Sequence, residues 1–173
     1  SMLPGEKINL GLDLRGGSHL LLRVDIDAVR QERLDTIAET IRQEFRGAKI
    51  RFSGLDVTNN SVNVKLRDAG DAGTVQAIFD ELGQGISLTR DNDAYRIAFN
   101  DAGMMEMQTQ TVQQSIEIIR RRLDPEGTKE PVIQRQGSDR VLVQLPGVDD
   151  PEAVKRLLGR TAKLTFQLVD SRM

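Results

Sequence analysis

Leu10-Gly11-Leu12-Asp13-Leu14-Arg15-Gly16-Gly17, running directly into the apolar segment Leu20–Val24, is the stretch on which the reading of this chain turns. Paired glycines reach backbone angles closed to other residues, so Gly16-Gly17 permits a sharp bend immediately before a strand. Asp13 and Arg15 bracket that bend and can pin it with a charge-assisted hydrogen bond. These glycines open a strand, whereas a phosphate loop needs Gly-Lys-Ser/Thr opening a helix. The stretch therefore reads as a structural bend, with Asp13, Arg15, Gly16 and Gly17 as its decisive residues.

Outward from the bend, alternation marks the strands. Leu20, Leu22 and Val24 share one face of the first. Ile50–Val57 and Val62–Leu66 are joined by the turn Thr58-Asn59-Asn60-Ser61. Ile86–Leu88 and Tyr95–Phe99 flank Arg90-Asp91-Asn92-Asp93, and Val132–Gln136 and Val141–Leu145 flank Gly137-Ser138-Asp139. Leu164, Phe166 and Leu168 mark a last half-buried strand.

Helices fill the intervals. Leu34, Ile37, Ala38, Ile41 and Phe45 form one apolar stripe between about Asp27 and Arg46. Val75, Ile78, Phe79 and Leu82 form a shorter one, and Met105, Val112, Ile116, Ile119 and Leu123 a long one from about Ala102. Asp150-Pro151-Glu152 is an N-cap followed by proline in the first turn of a helix ending at Gly159. The expected class is α+β. Residues 1–26 and 101–173 would build a ferredoxin-like βαββαβ base, its leading strand supplied by Leu20–Val24. Residues 27–100 would then be a second, small α+β subdomain inserted into it; two units in series, divided near Asn100–Gly103, is the plainer alternative.

Composition narrows the function. The 173 residues carry a net charge of -2, and aromatic residues make up 3%, with Tyr95 the one tyrosine and no tryptophan. That balance argues against a dedicated polyanion binder and leaves few platforms for stacking bases. With no cysteine there is neither a thiol nucleophile nor a thiolate metal site. No run approaches the ~20 apolar residues that span a bilayer, and no signal peptide is visible. The chain reads either as cytosolic or as a segment whose membrane anchors lie outside it.

Each candidate site has a simpler structural reading. His19 is the one histidine, and its neighbour Ser18 would project from the opposite face of a strand, so a satisfied sheet histidine is expected rather than a catalyst. Arg120-Arg121-Arg122 fans around a helix end, where it complements the dipole. Met104, Met105 and Met107 are expected in the core rather than on a soft binding surface. The pairs Asp68/Asp71, Asp91/Asp93 and Asp149/Asp150 sit at turns and helix starts, without calcium-loop spacing. No catalytic, metal or cofactor-binding residues are assigned.

The bend and three further segments resemble the first periplasmic domain of the SecD family of protein-export membrane subunits. They are Gln113–Leu123, the hairpin segment Glu130–Val148 and Leu157–Val169. One departure occurs at 123–128, Leu-Asp-Pro-Glu-Gly-Thr, where the family usually has an asparagine-containing link. The resemblance implies the base of that domain, without its head. It implies a protein anchored in the inner membrane and facing the periplasm, a non-enzymatic module working with SecF, the SecYEG channel, YajC and unfolded preprotein. In the family, SecD with SecF uses the proton gradient to help draw preproteins outward, and the proton-carrying residues lie in membrane helices outside this chain. The substrate-contact residues are not implied. Strand addition at an exposed sheet edge, or generic side-chain contacts in a shallow apolar groove, would suffice for such contact. Two rivals share the topology. An acylphosphatase-like enzyme would need an anion cradle, and an RNA-binding module would need aromatics on its central strands, where Phe52, Tyr95, Phe99 and Phe166 form no such motif.

Overall fold

The computed structural model describes residues 10–14, 19–68 and 72–159. Arg15, Gly16 and Gly17 and the expected last strand Leu164–Val169 lie outside the described residues. The order is β1 (Leu10–Leu14), β2 (His19–Val24), α1 (Ile26–Gly47), β3 (Phe52–Thr58), β4 (Ser61–Leu66), α2 (Ala72–Asp80), β5 (Ile86–Asp91), β6 (Ala94–Phe99), α3 (Asp101–Leu123), β7 (Val132–Gln136), β8 (Arg140–Gln144) and α4 (Pro151–Gly159). The class is α+β, with two antiparallel four-stranded sheets ordered β1-β2-β8-β7 and β3-β4-β6-β5. Chain contacts divide it into two compact units, Ser1–Ile26 with Gln108–Met173, and Asp27–Met107.

In the first unit, the opening stretch is a strand rather than only a bend. Leu10, Leu12 and Leu14 are the register partners of Val24, Leu22 and Leu20, so β1 and β2 form an antiparallel pair. Asp13, expected beside the bend, lies within β1 opposite Leu21. β2 is an inner strand, paired on its other side with β8. Its unbroken Leu20-Leu21-Leu22 is buried throughout, so both faces of the strand are covered here. The amide of Val24 also donates to the carbonyl of Asp139 at 2.7 Å, fastening the β7–β8 turn to the end of β2. Strands β2, β8 and β7 follow the antiparallel order of a ferredoxin-like unit. The edge of β2 where such a unit places its last strand is occupied by β1.

The long helix buries Thr111, Val112, Ser115, Ile119 and Leu123. Their spacing of about four residues marks one helical face, and the Ser115 hydroxyl is satisfied by donating to the Thr111 carbonyl at 2.7 Å. Asp150 caps α4 by accepting from the Glu152 amide at 3.0 Å, with Pro151 in the first turn.

The second unit has its own core. Leu34, Ile41 and Phe45 of α1 and Val75 and Phe79 of α2 cluster with Val62, Val64, Tyr95 and Ile97 of the sheet. Phe45 lies 5.8 Å from Phe52 and 6.1 Å from Phe79, which lies 5.2 Å from Tyr95, all at tilted angles that aromatic pairs favour. The β3–β4 turn places Asn59 and Asn60 at φ of 52° and 57°, the left-handed pair that two-residue hairpins require and asparagine tolerates. One glycine contact ties the strands to the following helix. A Cβ on Gly103 would stand 2.1 Å from the Gly85 carbonyl oxygen, so only glycine allows this approach. Asn100 completes the join: its amide donates to Gly85 at 3.0 Å, its Nδ2 to Gln84 at 2.8 Å, and its Oδ1 accepts from Gly103 at 2.8 Å.

Candidate functional site

The residues singled out by sequence do not converge on a reaction centre. Asp13 is placed on β1, whereas Arg15, Gly16 and Gly17 lie outside the described residues. His19 begins β2, half-buried and opposite Gln144, and its Nδ1 has no hydrogen-bond partner among the described residues. Among the described residues, no three of His, Asp and Glu are grouped so as to hold a metal ion.

The arginine run divides by role. Arg120 and Arg121 are exposed, while Arg122 donates from Nη1 to the Leu158 carbonyl at 3.0 Å, joining the end of α3 to the end of α4. Met107 is fully buried, as expected, but Met105 is 68% exposed and does not belong to the core. The physical reason is phase: Met105 lies two residues from Met107, about 200° around a helix, so both cannot share its buried face.

Asp124 shows what the departure at 123–128 does. Its carboxylate accepts from the Thr128 amide at 2.8 Å through one oxygen and from the Glu130 amide at 3.1 Å through the other. Desolvation pushes this carboxyl up, but the amides of Lys129, Thr128, Glu130 and Gly127 together outweigh that and hold it below its ordinary value of 3.8. Its role is to shape the loop leading to β7. Sequence offered one signal for this, an acidic residue just after a helix and before Pro125 and Gly127.

Two surfaces of the described residues bear on binding. A shallow hollow of about 340 Å³ lies on the second sheet, lined by residues including Gly54, Asp56, Lys65, Ala94 and Arg96. Within it Asp56 accepts from Asn63 at 3.2 Å, and Arg96 donates to Ser61, outside the lining, at 3.2 Å. Nothing in it resembles an RNA platform, because Tyr95 is buried and Phe52 and Phe99 pack against the core.

The other surface is β7. Among the described residues it pairs with β8 on one side only and ends the sheet order. Ile133 alone among its five residues is half-buried, and Val132 is 42% exposed. Five residues offer ~17 Å of strand edge. Pro131 precedes it and Arg135 lies within it, features that restrain indiscriminate edge-to-edge pairing.

Comparison with known proteins agrees with the sequence resemblance. Residues 112–171 match the family model described as protein translocase subunit SecDF, P1 domain, N-terminal, and residues 2–25 match the SecD/SecF GG motif. The chain is similar to the protein translocase subunit SecD of Rickettsia bellii, 40% identical over 168 residues, covering 97% of this chain and 33% of that protein. It is 40% identical over 176 residues to that of Acetobacter pasteurianus, covering 98% of this chain and 34% of the relative. For that of Escherichia coli K12, identity is 34% over 171 residues, covering 98% and 28%. The chain thus spans about a third of the length of these relatives. No solved structure matches it. Among the described residues, no helix is long and apolar enough to cross a membrane.

Proposed function

For a chain that belongs to the SecD family of protein translocase subunits, we propose a part in protein export as a non-enzymatic module that contacts the emerging polypeptide. In this reading the chain is a periplasmic portion of an inner-membrane protein. It works beside SecF, the SecYEG channel and YajC on unfolded preprotein, with the proton gradient used by membrane-spanning parts outside this chain. The observation that carries the reading is the exposed edge of β7, with Val132 turned to solvent.

An emerging preprotein is extended and has unpaired backbone amides and carbonyls. A short edge strand supplies matching groups without regard to sequence, and side-chain contacts add little specificity. Five residues limit the affinity, which suits a substrate that must be released. Asp13, Arg15, Gly16 and Gly17 have a structural rather than a binding role in this proposal.

Full-length protein carrying Val132→Lys with Gln134→Lys tests it. Lysines on an edge strand disfavour addition of another strand, and both native side chains are exposed, so the fold should tolerate the change. Preprotein export in membrane vesicles should slow several-fold while the subunit still assembles. Export at the unaltered rate would contradict the proposal.

A further inference from the structure

Register places two arginines side by side on one face of the first sheet. Arg23 of β2 is the partner of Arg140 of β8. Residues directly opposite in an antiparallel pair share a face, with Cβ atoms ~4.5–5.5 Å apart, and like charges so placed repel. Both side chains are half-buried, so water screens that repulsion only in part. Neither guanidinium has a hydrogen bond or an ion pair among the described residues.

The surroundings suit an anion. Gln136 of β7 stands opposite Arg140 and adds a side-chain amide donor, while Gly11 of β1 stands opposite Arg23 and brings no side chain to the row. The next row holds Leu21, buried, and Leu142, half-buried, an apolar margin that strengthens a charged contact beside it. Alternation along β2, β8 and β7 puts no acidic residue on this face; Asp13 of β1 stands in the Leu21 row.

We propose that Arg23 and Arg140 form a binding site for a single phosphate group. A phosphate monoester carries about -1.5 to -2 charge at pH 7, which two guanidiniums balance, whereas a carboxylate leaves one of them unmatched. Its oxygens accept from the forked N–H donors of both side chains. The chain as a whole has a net charge of -2, so it repels an extended polyanion, and the site takes one group rather than a series. Binding replaces a repulsion across the β2–β8 pair with two attractive contacts. This inference does not depend on the proposed contact with preprotein.

Inorganic phosphate is the first probe, added to the 173-residue chain at constant ionic strength with chloride as the reference. Phosphate should raise the thermal midpoint and shift the Nε–H resonances of Arg23 and Arg140. Arg23→Gln and Arg140→Gln should each weaken phosphate binding ~10-fold or more. Without phosphate, both variants should be at least as stable as the wild type, because the repulsion is relieved. Arg135→Gln is the control: it lies on the other face of β7, donates to the Gly137 carbonyl, and should leave phosphate binding unchanged. Vesicles of zwitterionic lipid, with or without a lipid whose headgroup is a phosphate monoester, separate the sources. Retention on the second kind alone, lost in both variants, assigns the site to a headgroup; phosphate binding without retention assigns it to free phosphate. Phosphate acting no differently from chloride overturns the proposal. So does acetate binding as tightly as phosphate, or phosphate binding that either substitution leaves intact.

Discussion

Gly103 leaves no room for a side chain. Replacing it with alanine drives a methyl group to 2.1 Å from the Gly85 carbonyl oxygen, a backbone atom without a rotamer to escape into. The backbone at Gly85 or the start of α3 must move, and Gly103→Ala should lose ~1–3 kcal/mol in urea unfolding, the usual range for overpacking. Gly47→Ala is the control, because a methyl group there would meet nothing within 4 Å. Asp124 predicts a pH effect of definite sign. Its folded-state carboxyl lies below 3.8, so its stabilising contribution is present above that ordinary value and is lost as pH falls through the folded value. Unfolding followed from pH 6 to pH 2 should show the wild type losing stability relative to Asp124→Asn on the acidic side. A constant difference between the two across that range would contradict the role given to the carboxylate.

At the level of elements, α4 depends on its cap and the second sheet on its helices. Asp150→Ala removes the acceptor for the Glu152 amide, with an expected cost of ~0.5–2 kcal/mol. Phe45→Ala opens a void between Phe52 and Phe79 and should cost ~3–5 kcal/mol; both are measured by thermal or urea unfolding. Most elements are legible in the sequence because their apolar residues repeat at helical or strand period, and turn residues such as Asn59-Asn60 and Asp150-Pro151 mark the boundaries. β1 is harder to read. Leu10, Leu12 and Leu14 alternate as a strand should, but the adjacent glycines suggest a bend, and only pairing with β2 distinguishes the two. The exposure of Met105 is hidden for a related reason: an apolar residue near a helix start does not reveal which face the tertiary structure will cover. Asp124 is only faintly legible as a loop organiser: its place after a helix and before Pro125 and Gly127 is a signal, but its partners are backbone amides, which no side-chain pattern announces.

For the whole molecule, the sequence similarity is to protein translocase subunits SecD, while the described surface offers a strand edge. The separate core of the second unit has its own consequence. If Asp27–Asn100 is an inserted subdomain, an isolated chain spanning 27–107, the contact-defined unit, should unfold cooperatively in urea, and a non-cooperative, unfolded chain would contradict that organisation. Contact between β7 and the substrate is tested most directly by photocrosslinking from probes at Val132 and Gln134 of the full-length protein in membrane vesicles, with a preprotein stalled during export. Crosslinks to the stalled preprotein that disappear once it is released are the expected result. Crosslinks confined to neighbouring membrane subunits would contradict a substrate-binding edge, because β7 would then be covered by the complex rather than offered to the emerging chain.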